Sequence, residues 1–178
     1  NLAIGYLSSA LITTGDRNTS LGWNTLSTAT THSDNTAIGF QALTLCTGIS
    51  NTAVGSYALA TNAGATSNVA VGYSALYANS NGIGNVAIGS SALEANIGGD
   101  HNVAVGLFAL FRNTSGDYNV AIGKDALTFN TTVSQLTAVG HQALSQNTSG
   151  EEIVAVGYQA LGISTSGQDN TAVGWQSC

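Results

Sequence analysis

Residues 68–93 read NVAVGYSALYANSNGIGNVAIGSSAL, a nine-residue segment followed by its near copy 17 residues later. The glycines inside the two copies, Gly72 and Gly89, belong to a series at 5, 22, 39, 55, 72, 89, 106, 123, 140, 157 and 174 that runs the length of the chain. Every interval is 17 residues except Gly39 to Gly55, which is 16. Self-similarity at one short, fixed period predicts a solenoid, in which each repeat is one coil stacked on the last, so residues 1–178 form a single repeat domain of about eleven coils. Both ends fall inside a repeat, and the chain is expected to be a segment of something longer.

With columns numbered from the motif glycine, column −1 is aliphatic in every repeat, column −2 is Ala except for Ser20, and column −3 is Val, Thr or Leu. β-Branched residues around a small one predict a short strand. Both of its faces are apolar, as in strands covered on both sides. One face is expected to pack inside its own coil, with Val105 of column −1 inside, and the other to need an external cover. After the glycine a second segment ends in Ala-Leu, as at 75–76, 92–93 and 109–110, and predicts a second strand with a Leu core stripe. The remaining residues, such as RNTSGDYN at 112–119, are polar and carry Gly48, Gly82, Gly99, Gly116 and others in one column, read as a turn needing positive φ. Asn in column −4 predicts an amide ladder running from coil to coil.

Composition excludes several function classes. The net charge is −6 and the only cations are Arg17, Arg112 and Lys124, so the clustered positive charge that nucleic acid needs is absent. No apolar run reaches the ~18 residues of a membrane span, so no membrane insertion by this segment is expected. Proline and methionine are absent and 22 residues are glycine, which suits stacked strands and tight turns. Cys46 and Cys178 lie too many coils apart for a disulfide within one chain.

The segments NTAIGFQAL at 35–43, NTAVGSYAL at 51–59, NVAVGYSAL at 68–76 and NVAIGSSAL at 85–93 carry a resemblance to two groups. The full motif through Ala-Leu is similar to repeats of bacterial and phage tail-fibre-like proteins. N-[TV]-A-[IV]-G resembles, more distantly, the head repeats of trimeric autotransporter adhesins. The resemblance implies an all-β fold: a parallel β-solenoid, or β-roll, of 17-residue coils, left-handed and packed as a homotrimeric fibre. It implies a structural shaft of an extracellular, cell-surface or virion fibre that displays a receptor-binding region. In such a trimer the small column −2, Ala37, Ala53, Ala70, Ala87, Ala104, Ala121, Ala138, Ala155 and Ala172, would form the oligomer interface. The partner is then the chain itself, with a cell-surface glycan or receptor as a further one.

No catalytic constellation is legible. His32, His101 and His141 occupy three different columns and do not converge on a metal, and no nucleophile, base and acid share a place, so neither catalysis nor a cofactor is expected. Asp100, Asp117 and Glu151 share column −6, a solvated acidic edge or, less simply, a calcium stripe. Gln142, Gln159 and Gln176 predict a further amide ladder, and Asn18, Asn113, Asn130 and Asn147 head N-glycosylation sequons. Column +1 is the candidate recognition surface: Tyr6, Trp23, Phe40, Tyr73, Tyr158 and Trp175 could contact saccharide rings or neighbouring fibres. An adhesin head binding glycan or matrix protein directly is therefore the alternative function. Ice binding is a remote one, because valines interrupt the threonines of column −3.

Overall fold

The computed structural model describes all 178 residues as an all-β parallel solenoid without a helix. Eleven three-residue strands follow one another up a single sheet: β1 (Leu2–Ile4), β2 (Thr19–Leu21), β3 (Thr36–Ile38), β4 (Thr52–Val54), β5 (Val69–Val71), β6 (Val86–Ile88), β7 (Val103–Val105), β8 (Val120–Ile122), β9 (Thr137–Val139), β10 (Val154–Val156) and β11 (Thr171–Val173). Each pairs in parallel with its sequence neighbours, in the order β1 to β11. The register is the repeat itself, with Val86, Ala87 and Ile88 opposite Val103, Ala104 and Val105. The short interval between Gly39 and Gly55 leaves that register intact, with Thr36, Ala37 and Ile38 opposite Thr52, Ala53 and Val54. Its missing residue falls in the turn between Cys46 and Gly48, outside the strands.

Each strand ends at the motif glycine, whose φ lies at 126–140° along the series. That conformation favours a residue without a side chain. Space demands the same, since a Cβ on Gly106 would stand 2.7 Å from the backbone of Gly123 on the next coil. The polar-turn glycines answer to the second constraint only. Gly82, Gly99 and Gly116 have no positive φ, contrary to the sequence expectation, but a Cβ on Gly99 would meet the Gly116 carbonyl oxygen at 2.5 Å and the Asn96 amide at 2.6 Å.

The Ala-Leu segment is not a second strand. Columns +2 and +4 both adopt the left-handed conformation, as in Ser91 and Leu93 (φ 53° each) and Phe108 and Leu110 (φ 57° and 53°), so the chain curls where an extended segment was expected. A third left-handed residue sits in column −5, for example His101 and Tyr118 at φ 55°. A leucine held there costs about 1–2 kcal/mol. Burying its side chain returns about 1.5–3 kcal/mol, and Leu43, Leu59, Leu76, Leu93, Leu110, Leu127 and Leu144 are all fully buried. Their N–H groups also reach the next coil, Leu93 donating to Ala109 O and Leu110 to Ala126 O at 2.9 Å. Of 103 backbone hydrogen bonds only 20 lie within the strands, so the turns carry most of the coil-to-coil pairing.

The core is one thin, continuous cluster of column −2 alanines, column +3 alanines and column +4 leucines. This overturns two sequence expectations. Ala37, Ala53, Ala70, Ala87, Ala104, Ala121, Ala138 and Ala155 are completely buried within their own chain, and Ala172 is 9% exposed, so they cannot touch a partner chain. Val105, expected inside, is half-buried on the outer face with its neighbours in columns −1 and −3. The reason is the width of the coil. Seventeen residues close a ring too narrow for two large side chains across it, so alanine on the strand faces leucine on the turn, and the bulkier β-branched residues are left outside.

Candidate functional surfaces

Two rows of amides run along the solenoid interior, and both are structural. In column −4 an asparagine oxygen accepts the backbone N–H of the residue one coil on, as Asn102 N to Asn85 Oδ1 at 2.8 Å, Asn119 N to Asn102 Oδ1 at 2.9 Å and, where leucine interrupts the column, Leu136 N to Asn119 Oδ1 at 3.0 Å. Each side-chain amide donates to the turn carbonyl of the coil above, Asn102 Nδ2 to Gly116 O at 2.8 Å. The second row, in column +7, lies in the polar stretch, whose composition gives no expectation of burial: Asn62, Asn79, Asn96, Asn113, Asn130 and Asn147 are fully buried. Asn96 Nδ2 donates to Asn79 Oδ1 at 2.8 Å and Asn113 Nδ2 to Asn96 Oδ1 at 2.9 Å. The signal was present, asparagine recurring at the same period. Cys46 replaces asparagine in this row in the short coil; its thiol donates to Gly48 O at 3.4 Å, and burial raises its pKa to about 11.

These rows decide the sequons. Asn18, Asn113, Asn130 and Asn147 are all buried, and the nitrogen that would carry a glycan donates to a backbone carbonyl in each, at 2.8–3.0 Å. A glycan at any of them requires the coil to open.

Two of the three column −6 carboxylates, Asp100 and Asp117, are engaged as backbone acceptors. Asp100 Oδ1 accepts Ile83 N, and Asp117 Oδ1 accepts Asp100 N, both at 2.7 Å. Ser134 continues the row, its hydroxyl accepting Asp117 N at 2.9 Å. This binds the turn edge together, and Asp100, Asp117 and Glu151 form no group of three or more ligating side chains around a common point. Gln142, Gln159 and Gln176 are linked amide to amide at 2.7 and 2.9 Å. They border a surface concavity of about 660 Å³, with Ser145, Gln146, Ile163 and Cys178.

Elsewhere on the turns charge is sparse. Arg17 holds Asp34 on the next coil through Nε and Nη2 at 2.6 and 2.9 Å, which lowers the carboxyl pKa. Glu152 and Asp169 are both acidic on successive coils, and their shared hydrogen bond raises the pKa of Glu152. Lys124 lies 3.5 Å from Asp125.

The column +1 aromatics divide into two stacks and a separate middle. Tyr6, Trp23 and Phe40 stack along the axis with centroids 6.4 and 4.9 Å apart and planes within 20° and 8°. His141, Tyr158 and Trp175 do the same at 5.3 and 6.0 Å. Rings stacked on each other turn their faces inward and present edges to solvent, which suits ladder packing better than saccharide contact. Tyr73 stands apart from both stacks. Beyond the sequence expectation, Tyr57, Tyr77, Phe108, Phe111 and Phe129 add a second set of rings, with the Arg112 guanidinium 4.7 Å over Phe129.

The broadest uniform surface is the outer face of the sheet. Column −1 presents Ile4, Leu21, Ile38, Val54, Val71, Ile88, Val105, Ile122, Val139, Val156 and Val173, and column −3 adds valine and threonine; no charged side chain interrupts either. Ile88, flanked by strands on both sides, is still 42% exposed. No family model matches the chain, and neither a curated protein nor a solved structure matches it.

Proposed function

We propose that the chain is a self-associating rod, a structural segment of an extracellular or virion fibre that spaces and displays a receptor-binding region. Its coils wind left-handed and pack as a homotrimer around the outer face of the sheet. The observation that carries this reading is the face itself, eleven parallel strands whose outward columns −3 and −1 hold only aliphatic residues and threonine. A continuous apolar strip of this kind is an assembly surface. At a strand spacing of roughly 4.8 Å the face is about 50 Å long, and three residues at about 3.3 Å each make it about 10 Å wide, so it offers on the order of 500 Å², more than half of what each partner of a standard interface buries. The in-phase repeat keeps every coil equivalent, so identical chains can meet in register along their whole length, and repeat number sets fibre length. The resemblance of the repeat to those of tail-fibre-like proteins favours the trimer over other closed assemblies.

Sedimentation of the unmodified chain tests the reading. A trimer mass is expected, with Ile88→Asp and Val105→Asp abolishing it while the circular dichroism of the solenoid persists, because both side chains lie outside the core. A stable, soluble monomer at micromolar concentration would remove the fibre assignment.

A further inference from the structure

Between the two aromatic stacks the rings change their arrangement. Tyr57 meets Phe40, Tyr73 and Tyr77 edge-on, at interplanar angles of 74°, 83° and 66°. In column +1 Tyr73 stands between Ser56 and Ser90, and in column +5 Tyr77 stands between Ala60 and Glu94. Neither ring is stacked face to face on a ring of the coil above or below, whereas Trp23 is sandwiched between Tyr6 and Phe40. Tyr73 is 57% exposed and Tyr77 38%. On the next coil Glu94 supplies a carboxylate outside the chain's ion pairs, which are Arg17 with Asp16 and Asp34, and Lys124 with Asp125.

We propose that Tyr73 and Tyr77, with Ser90 and Glu94 on the adjoining coil, form a contact site for a neutral saccharide. An unstacked aromatic face with a polar tip matches the C–H face of a pyranose, which is apolar in the middle and hydroxylated at its rim. The Glu94 carboxylate accepts from sugar hydroxyls, and charge-assisted hydrogen bonds of this kind are the stronger ones. The same carboxylate, on a chain of net charge −6, repels sialic and uronic acids and so selects neutral sugars. Tyr57 packs against both rings, with centroids 5.9 and 6.5 Å away, so the platform is set before a ligand arrives. The site lies past the corner glycine, at columns +1 to +5, and goes beyond the fibre reading, which rests on columns −3 and −1.

The full chain is tested against immobilised N-acetyllactosamine, mannotriose, maltotriose and sialyllactose. Binding to at least one neutral glycan and not to sialyllactose is expected. Tyr73→Ala and Glu94→Gln should each weaken binding about tenfold or more, while Trp23→Ala leaves it unchanged. Circular dichroism and sedimentation of the same variants show that fold and assembly are retained, which separates failure of this site from failure of the fibre reading. No binding to any neutral glycan at millimolar concentration, a preference for sialyllactose, or equal binding by Tyr73→Ala and the unmodified chain would overturn the proposal. So would capture of an aromatic-rich peptide at this patch with no glycan bound.

Discussion

The first coil and the middle coils share one backbone and differ inside. From Gly72 to Gly123 the interior repeats alanine, leucine and two buried asparagines. In the coil from Gly5 to Gly22, Ser8 and Ser9 stand in the Ala and Leu columns, Ile12 stands in the Asn column, and Ser20 replaces the strand alanine. The substitutions compensate one another: Ser20 Oγ lies 2.6 Å from both Ser8 Oγ and Ser9 Oγ, and Ser8 Oγ lies 3.0 Å from Thr25 Oγ1. Coil-to-coil pairing continues regardless, with Ser9 N donating to Thr25 O at 2.9 Å. The solenoid is therefore specified by its backbone ladder, and the interior needs only to be filled and satisfied. The hydroxyl interior buries less apolar surface, so the first coil is the weaker one.

Truncating Leu110 to Ala opens a cavity in a continuous core and should lower stability by about 2–5 kcal/mol. Ser9→Ala removes one partner of a half-buried hydroxyl group and should cost about 1 kcal/mol. Urea unfolding of the two variants checks the contrast, and equal shifts in midpoint would erase it. Asn102→Ala falls between them at about 1–3 kcal/mol, because it strands the Asn119 N–H and removes one of the two side-chain donors to the Gly116 carbonyl, whereas Thr148→Ala on the exposed turn should stay within about 0.5 kcal/mol. Amide hydrogen exchange sharpens the comparison without mutation: Ser9 and Asn24 should exchange through local opening well before Leu93 and Leu110.

The smallest expected effect is electrostatic and of opposite sign at the two ends. The pKa of Glu152 is raised beside Asp169, so the folded state binds a proton more readily there, and repulsion present at neutral pH is relieved as pH falls through that raised value. The pKa of Asp34 is lowered by Arg17, so its contribution is present above the unfolded value and lost as pH falls through the lowered one. Both pairs are solvent-exposed, so solvent screens their contributions to stability. Melting temperature should rise slightly from pH 7 to pH 5, and Glu152→Gln should abolish that rise; an unchanged rise in the variant would place its origin elsewhere.

The glycine period alone was enough to identify a single stacked-coil domain, because a fixed spacing of one conformationally special residue admits few architectures. The −4 asparagines and the glutamines were legible as ladders for the same reason, since identical residues one coil apart must be neighbours. What the sequence could not decide was direction. An Ala flanked by Val and Ile is apolar on both faces, and periodicity says only that the faces differ. The inside belongs to alanine because a narrow ring closes around the leucine of the opposite wall, a fact of three-dimensional volume. That closure also converted the expected second strand into left-handed turns, drew Asn79, Asn96 and Asn113 inward from the polar stretch, and turned the stacked rings edge-outward. Local pattern fixed the repeat; the width of the coil, set by packing across it, decided which residues remain on the surface to meet anything else.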